Sequence, residues 1–508
     1  MLLAAVPGRG GGAIAADPPP PNILVILADD QRDGTVTPEI MPNVISLIQS
    51  QGTTFPNGYS STPLCCPSRS SMYTGRFAHN HQVLTNVDAL KLDQTWTIQH
   101  YLHDAGYRTG VFGKYLNDWV SQSLGTPPDF SQPPRNPPYF DEWAIMDNGA
   151  YYPSSPAPQC PSPPQELGVD CVNEEGTLKQ LPAGTYATTY VSQQAQQFIQ
   201  NADTLNDSQP WFLWVSPTAP HSGQGGTFDK TKVVETQYQG AGTIIPPFTP
   251  NDGYNESDLT DKPPYIQAAN SAANRTNALT IRDSQLRMLK SVDDLVASIF
   301  STMDTYNETS STLVIYLSDN GFMWGEHGIN SKGPPYLESV KTPVMIRYPP
   351  SVGVGVDPRY AYNLDVSSTI LDGAGVATPS GAPPLDGRSL LDPTWTRDHI
   401  LLEGFRPCFV SANPPPPCTP TATLFPTWSS ILTPTYHYSR YFDDPNTVGD
   451  ESFQEYYDML NDPSELTNLY GGDGVPASGD PAAPAALLDS DRLCSGHGPP
   501  GLEPPPCP

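Results

Sequence analysis

The chain has 508 residues, 37% of them hydrophobic, ample material for a sizeable core. Its 25 Lys and Arg stand against 53 Asp and Glu, and the resulting net charge of −28 argues against nucleic acid or an anionic membrane as a partner. No stretch approaches the ~18 consecutive apolar residues of a transmembrane span, so no membrane span is expected.

Residues 1–21 are Gly-rich and then Pro-rich, and are expected to be disordered; the apolar start at residues 1–6 is too short for a signal peptide. Asn22–Ala28 (NILVILA) is a continuous apolar run, the pattern of a strand covered on both faces, and it ends in Asp29-Asp30. Adjacent carboxylates at a strand end repel one another unless a cation lies between them; an acidic loop start reads the same way. Periodicity predicts helices over 41–51, 96–105, 187–201 and 280–303, the last with Met288, Val292, Leu295, Ile299 and Met303 as one apolar stripe. Strands are predicted between them over 109–112, 211–215, 312–317 and 343–348. This alternation gives an α/β fold, with a large mixed, mostly parallel sheet and helices on both faces.

Residues 126–182 and 220–275, rich in turn formers, are expected to be long loops at the carboxyl ends of strands, where α/β enzymes shape their pockets. The strand over 312–317 runs into Ser318-Asp319-Asn320-Gly321, which offers a carboxylate and an amide oxygen as hard ligands, or makes an ordinary Asn-Gly turn. Beyond about residue 375 the texture changes to short strand-like pieces, 399–402 and 435–441, which predict a smaller C-terminal α+β domain with an antiparallel sheet. The expected units are residues 22–380 and 385–508, the second ending in a Pro/Gly-rich tail from 471.

Of 8 cysteines, three pairs bracket Pro-rich loops: Cys160 with Cys171, Cys408 with Cys418, Cys494 with Cys507. Local disulfides are expected there, formed in an oxidising compartment. Sequons at Asn206, Asn255, Asn274 and Asn307 agree with a secretory route, hence a secreted, periplasmic, cell-wall or lysosome-like location.

Cys65 and Cys66 remain, followed by Pro67-Ser68-Arg69 and then Thr74-Gly75. A vicinal disulfide or a buried pair capping a helix would use two cysteines this way. Pro67 suits the first turn of a helix, which puts Cys65 just before the N-terminus, where free N–H groups and the dipole favour an anion. Arg69, one turn on, can reach back to a nucleophile or to carboxylates.

This segment resembles the sulfatase signature Cys-x-Pro-Ser-Arg-x4-Thr-Gly, of the alkaline-phosphatase-like superfamily, in which the first cysteine is converted to formylglycine. Gly113-Lys114-Tyr115-Leu116-Asn117 resembles the second signature in the form carried by glucosamine-6-sulfatases and related arylsulfatases, without the His that many sulfatases have there. Ala219-Pro220-His221, Lys332, Leu385–Ser389 and residues 461–465 resemble further family segments, so the likeness spans roughly residues 20–470. It implies hydrolysis of sulfate monoesters, small aryl sulfates or carbohydrate 6-sulfates, with formylglycine at Cys65 installed by a formylglycine-generating enzyme. It also implies a metal held by Asp29, Asp30, Cys65, Asp319 and Asn320, and sulfate contacts from Lys114, His221 and Lys332, with Arg69 supporting the nucleophile. An all-oxygen ligand set favours Ca²⁺ over Mg²⁺. In the implied chemistry the hydrated aldehyde attacks sulfur with one hydroxyl and expels sulfate with the other. A phosphomonoester or phosphonate hydrolase of the same superfamily is the alternative, and a non-catalytic, disulfide-stapled binding protein would keep Cys65 as a thiol.

Overall fold

The computed structural model describes residues 19–120, 134–146, 151–152, 171–181, 184–206, 208–269, 272–406, 425–442, 451–470, 482–496 and 505–508. Six strands frame the main sheet: β1 (Asn22–Ala28), β2 (Arg108–Lys114), β3 (Glu142–Met146), β4 (Trp211–Ser216), β5 (Thr312–Ser318) and β6 (Val344–Arg347). In space they run β6-β5-β1-β4-β2-β3 within a 10-stranded sheet, extended at one edge by Thr53–Thr54 and Gly355–Val356 and at the other by Cys171–Glu174 and Thr177–Gln180. The central pairs are parallel, while β6 runs antiparallel to β5, which makes the sheet mixed as expected.

Every residue of β1, β4 and β5 is buried, because both faces of the sheet are covered. Leu24 and Ile26 point to a core shared with α2 (Ala187–Asn206) and α3 (Ala272–Thr305), once α1 (Cys65–Thr74) is counted first in the chain. Ile23, Val25 and Leu27 point the other way, onto Met72 and Tyr73 of α1 and Val366 and Ile370 of α4 (Asp365–Ala374). The apolar stripe expected on α3 is buried throughout, at Met288, Val292, Leu295, Ile299 and Met303.

The helix runs further back than its stripe predicts, to Ala272, because its first turns are polar and give no apolar period. The segment 126–182, read as a loop, contributes strands at its described ends: β3, Cys171–Glu174 and Thr177–Gln180 extend the sheet at one edge. A separate 4-stranded antiparallel sheet follows, of Ile400–Gly404, Thr427–Leu432, Tyr436–Phe442 and Glu451–Asp458. Trp428, Ile431 and Tyr441 from it pack with Tyr59, Phe77 and Tyr362 of the main body.

Cys494 and Cys507 form a disulfide, as expected, and Cys171 is also disulfide-bonded. Cys160, Cys408 and Cys418 lie outside the described residues, as do residues 1–18 of the segment 1–21 expected to be disordered; Pro21 is described, and its carbonyl accepts from the Tyr107 hydroxyl. Among the described residues no helix is long and apolar enough to cross a membrane.

Candidate active site

β1 and β5 pair in register from Asn22↔Thr312 to Ala28↔Ser318, so the residues after them leave the sheet side by side. Asp29, Asp30, Asp319 and Asn320 are all buried at this edge. The Asp30 N–H donates to Asp319 Oδ1 at 3.1 Å, and Asn320 Nδ2 donates to Asp30 Oδ1 at 2.8 Å. Asn320 Oδ1 is buried without a partner, a condition that costs about 1–3 kcal/mol unless something binds the oxygen.

The helix α1 begins at Cys65 itself, one position earlier than Pro67 alone implies, with extended Leu64 as its cap. Ser68 N–H closes the first turn onto the Leu64 carbonyl at 3.0 Å, and Pro67 sits inside that turn, where its missing N–H removes no bond. Gly75 ends the helix at φ +66°, a conformation that suits glycine. Cys65 and Cys66 are not joined to each other in a disulfide. Their surroundings differ. Cys66 sits in the apolar core, and burial pushes its thiol up to about 12. Cys65 Sγ faces the acidic edge, 3.7 Å from Asp29 Oδ1 and 2.8 Å from Lys332 Nζ.

Arg69 is fully buried and ties α1 to several strand ends. Nε donates to Asp319 Oδ2 at 2.9 Å; Nη1 donates to the Lys114 carbonyl at 2.8 Å and to Ser216 Oγ at 2.7 Å. Nη2 lies 3.8 Å from Asp29 Oδ1. One guanidinium thus touches both Asp29 and Asp319, which come from segments far apart in the chain. Its hydrogen bonds go to the Asp319 carboxylate and to strand-end oxygens, not to Cys65.

Three further cations close the site. Lys114, the last residue of β2, donates to Asp29 Oδ2 at 2.7 Å. Lys332 donates to Asp30 Oδ1 as well as to Cys65. His221 gives its Nδ1–H to the Ser222 carbonyl at 2.9 Å, which turns Nε2 toward Asp30 Oδ2, 3.8 Å away. Burial alone would raise the Asp29 and Asp30 carboxyls; Lys114, His221 and Arg69 reverse this at Asp29, and Lys332 and His221 do so at Asp30, so both lie below the ordinary carboxylate range. Burial works to discharge His221, but Asp30 and Asp29 outweigh it and carry the imidazole up to about 9. In a chain so acidic, this concentration of positive charge is what anion binding requires. His221 at 19% and Lys332 at 10% exposure are the cations open to solvent, so an incoming anion meets them first.

Donor atoms of Asp29, Asp30, Cys65 and His221 all lie within 4.8 Å of one another. Together with Asp319 and the unpartnered oxygen of Asn320, they form an oxygen-rich set suited to a hard divalent cation. All nine residues singled out by the sequence therefore meet at this edge. Ser216 was not among them; a lone hydroxyl closing the apolar run of β4 carries no motif. At the position where many sulfatases carry a His, Tyr115 and Leu116 turn into the core, and Asn117 keeps a buried, unpartnered Oδ1.

Residues 21–376 match the family model named Sulfatase. The extracellular sulfatase SULF-1 homolog of Drosophila melanogaster is 29% identical over 400 residues, which cover 76% of this chain and 32% of that protein, so the chain spans about a third of that relative. N-acetylglucosamine-6-sulfatase of Capra hircus is 27% identical over 492 residues, covering 87% of this chain and 78% of the relative. Among solved structures, a complex with D-glucosamine-2-N,6-O-disulfate shares the fold at a TM-score of 0.66 and 21% identity, over 92% of this chain and 97% of the other.

Proposed function

Because the chain belongs to the sulfatase family, we propose that it hydrolyses sulfate monoesters, of aryl alcohols or of sugar 6-hydroxyls, at the edge formed by Cys65, Asp29, Asp30 and Asp319. The observation that carries this reading is the position of Cys65 at the head of α1, in contact with Lys332 and beside Asp29. A helix N-terminus, two lysines and an imidazole form a site for an anion with one reacting centre.

Lys114 and Lys332 hold the sulfuryl oxygens. His221, open to solvent beside Asp30, donates the proton that the leaving alcohol needs. Arg69 keeps Asp319 and Asp29 aligned from beneath. Asp29, Asp30, Asp319 and Asn320 would hold the divalent cation, Ca²⁺ in preference to Mg²⁺, which would neutralise the carboxylates and acidify the attacking hydroxyl. The fit rests on the orphaned oxygen of Asn320 and on donors already crowded together. Formylglycine at residue 65, installed by a formylglycine-generating enzyme, would supply a hydrate with one hydroxyl to attack and another to expel sulfate. The Gly113–Asn117 segment and the glucosamine-6-sulfatase relatives favour sugar 6-sulfates among natural esters. The disulfide and the extracellular relatives support a secretory route.

The test is release of free sulfate from a panel of aryl and carbohydrate sulfates, beside a phosphate ester with the same leaving group. Faster turnover of the phosphate ester would replace this reading with a phosphohydrolase.

A further inference from the structure

Lys332 reaches Cys65 from a loop outside the main sheet, and a lysine side chain on its own is too flexible to fix its ammonium. That loop is held locally, by Gly333 N–H to Ser339 Oγ at 2.9 Å and Met323 N–H to the Ser331 carbonyl at 2.8 Å, and also from the C-terminal sheet. Trp428, on strand Thr427–Leu432, is completely buried, and its indole Nε1–H donates to the Gly333 carbonyl at 2.8 Å. The slot for the indole is cut by glycine. Gly404 pairs with Trp428 across the strands, and a Cβ there would lie 2.2 Å from Nε1. On the other side, a Cβ on Gly333 would lie 2.3 Å from the Phe425 ring. The following residues are held from the same sheet and the turn beyond it: Tyr336 donates its hydroxyl to Glu455 at 2.9 Å, and Leu337 N–H donates to Glu465 Oε2 at 2.9 Å.

We infer that Trp428 is a positioning residue for the reaction: by holding the Gly333 carbonyl, its indole N–H aims the Lys332 ammonium at Cys65 and Asp30. This rests on the sulfate-ester reading of the site. The C-terminal sheet then takes part in the chemistry through the loop it shapes, although none of its own residues touches the acidic edge in the contacts described above.

Trp428→Phe keeps the ring and removes the N–H. It should lower kcat/KM about 10- to 100-fold, the loss expected when a catalytic group is displaced by roughly an ångström. In the Lys332→Ala background the same substitution should cost nothing further, since the group it positions is gone. Equal fold-losses in both backgrounds would overturn the inference. Tyr336→Phe, a milder release of the same segment, should repeat the pattern if Trp428→Phe folds poorly; additivity there would overturn it too. Amide hydrogen exchange reads the coupling without turnover: peptides covering 329–337 should exchange faster in Trp428→Phe, while those of α1 stay unchanged. Unchanged exchange in 329–337 sinks the inference. Absence of sulfate release by the unaltered enzyme would instead sink the functional reading and leave the exchange result to decide this one.

Discussion

Arg69 Nε and Asp319 Oδ2 meet at 2.9 Å, both side chains fully buried, and join the helix that carries Cys65 to the strand end that carries the acidic pair. Removing the cation leaves the buried Asp319 carboxylate with the Asp30 N–H but without its ion-pair partner. Arg69→Ala should therefore destabilise the protein by about 3–5 kcal/mol, read from denaturant unfolding. Arg69→Lys keeps the charge but cannot span Asp319, Ser216 and the Lys114 carbonyl together, so it should recover only part of the loss. Wild-type stability in Arg69→Ala would show that the pair is not what secures the helix.

Asp319→Asn removes one ligand charge and retains an oxygen. Calcium affinity, measured by calorimetry on metal-stripped protein, should fall, and the thermal shift produced by added Ca²⁺ should shrink with it. Turnover should fall in parallel. An unaltered calcium isotherm removes Asp319 from the proposed metal site.

The two cysteines should part company. Cys65→Ala should abolish sulfate release, whereas Cys66→Ala should keep a measurable fraction of it, because Cys66 faces the apolar core. Peptide mass spectrometry should find the aldehyde at 65. Modification at 66 would reverse the assignment.

His79 gives a pH prediction away from the acidic edge. Its Nδ1 lies 2.7 Å from Glu403 Oε1, and its Nε2–H donates to the Cys494 carbonyl at 3.0 Å. Burial opposes the charge, but Glu403 prevails and lifts the imidazole to about 9, from 6.5 when free. The folded value is the higher one, so this stabilisation is complete below about pH 6.5 and is lost as pH rises through about 9. His79→Asn should flatten the fall of the melting temperature across that window. A slope identical to wild type would rule the contact out as its source.

The Cys494–Cys507 bridge joins residues 13 positions apart, so replacing both with serine should cost ~2–3 kcal/mol. A double variant that melts with the wild type would mean that the local contacts of Cys494, including its carbonyl to His79 and Asn80, hold the segment unaided.

What could be read in advance followed from burial and from motif spacing. β1, β4 and β5 announce themselves because strands covered on both faces must be apolar throughout, and the acidic residues stand out as abrupt ends to those runs. Asp29 and Asp319 could be placed together because parallel strands end on one edge. Ser216 and Trp428 were illegible for the opposite reason. Each acts through hydrogen bonds to groups distant in sequence, and a tryptophan in an apolar strand looks like core. β3 and the edge strands beyond it are hidden in the sequence because turn residues crowd around them, although Glu142–Met146 pairs regularly with β2.

The register of β1 against β5 carries one more consequence. Neither strand alternates polar with apolar residues, so a slip of two positions would still set apolar side chains opposite one another over most of the pair. It would also carry Asp29 about 7 Å past Asp319, at ~3.3 Å per residue. The alignment has an index mark at the far end. Asn22 sends its N–H to the Ser311 carbonyl at 3.1 Å, accepts the Trp211 N–H on Oδ1 at 3.0 Å, and donates from Nδ2 to Glu308. One residue thus ties the starts of three strands together, about 20 Å from the carboxylates it lines up. Loop grafts or deletions near Asn22 will behave as active-site lesions, although nothing chemical happens there.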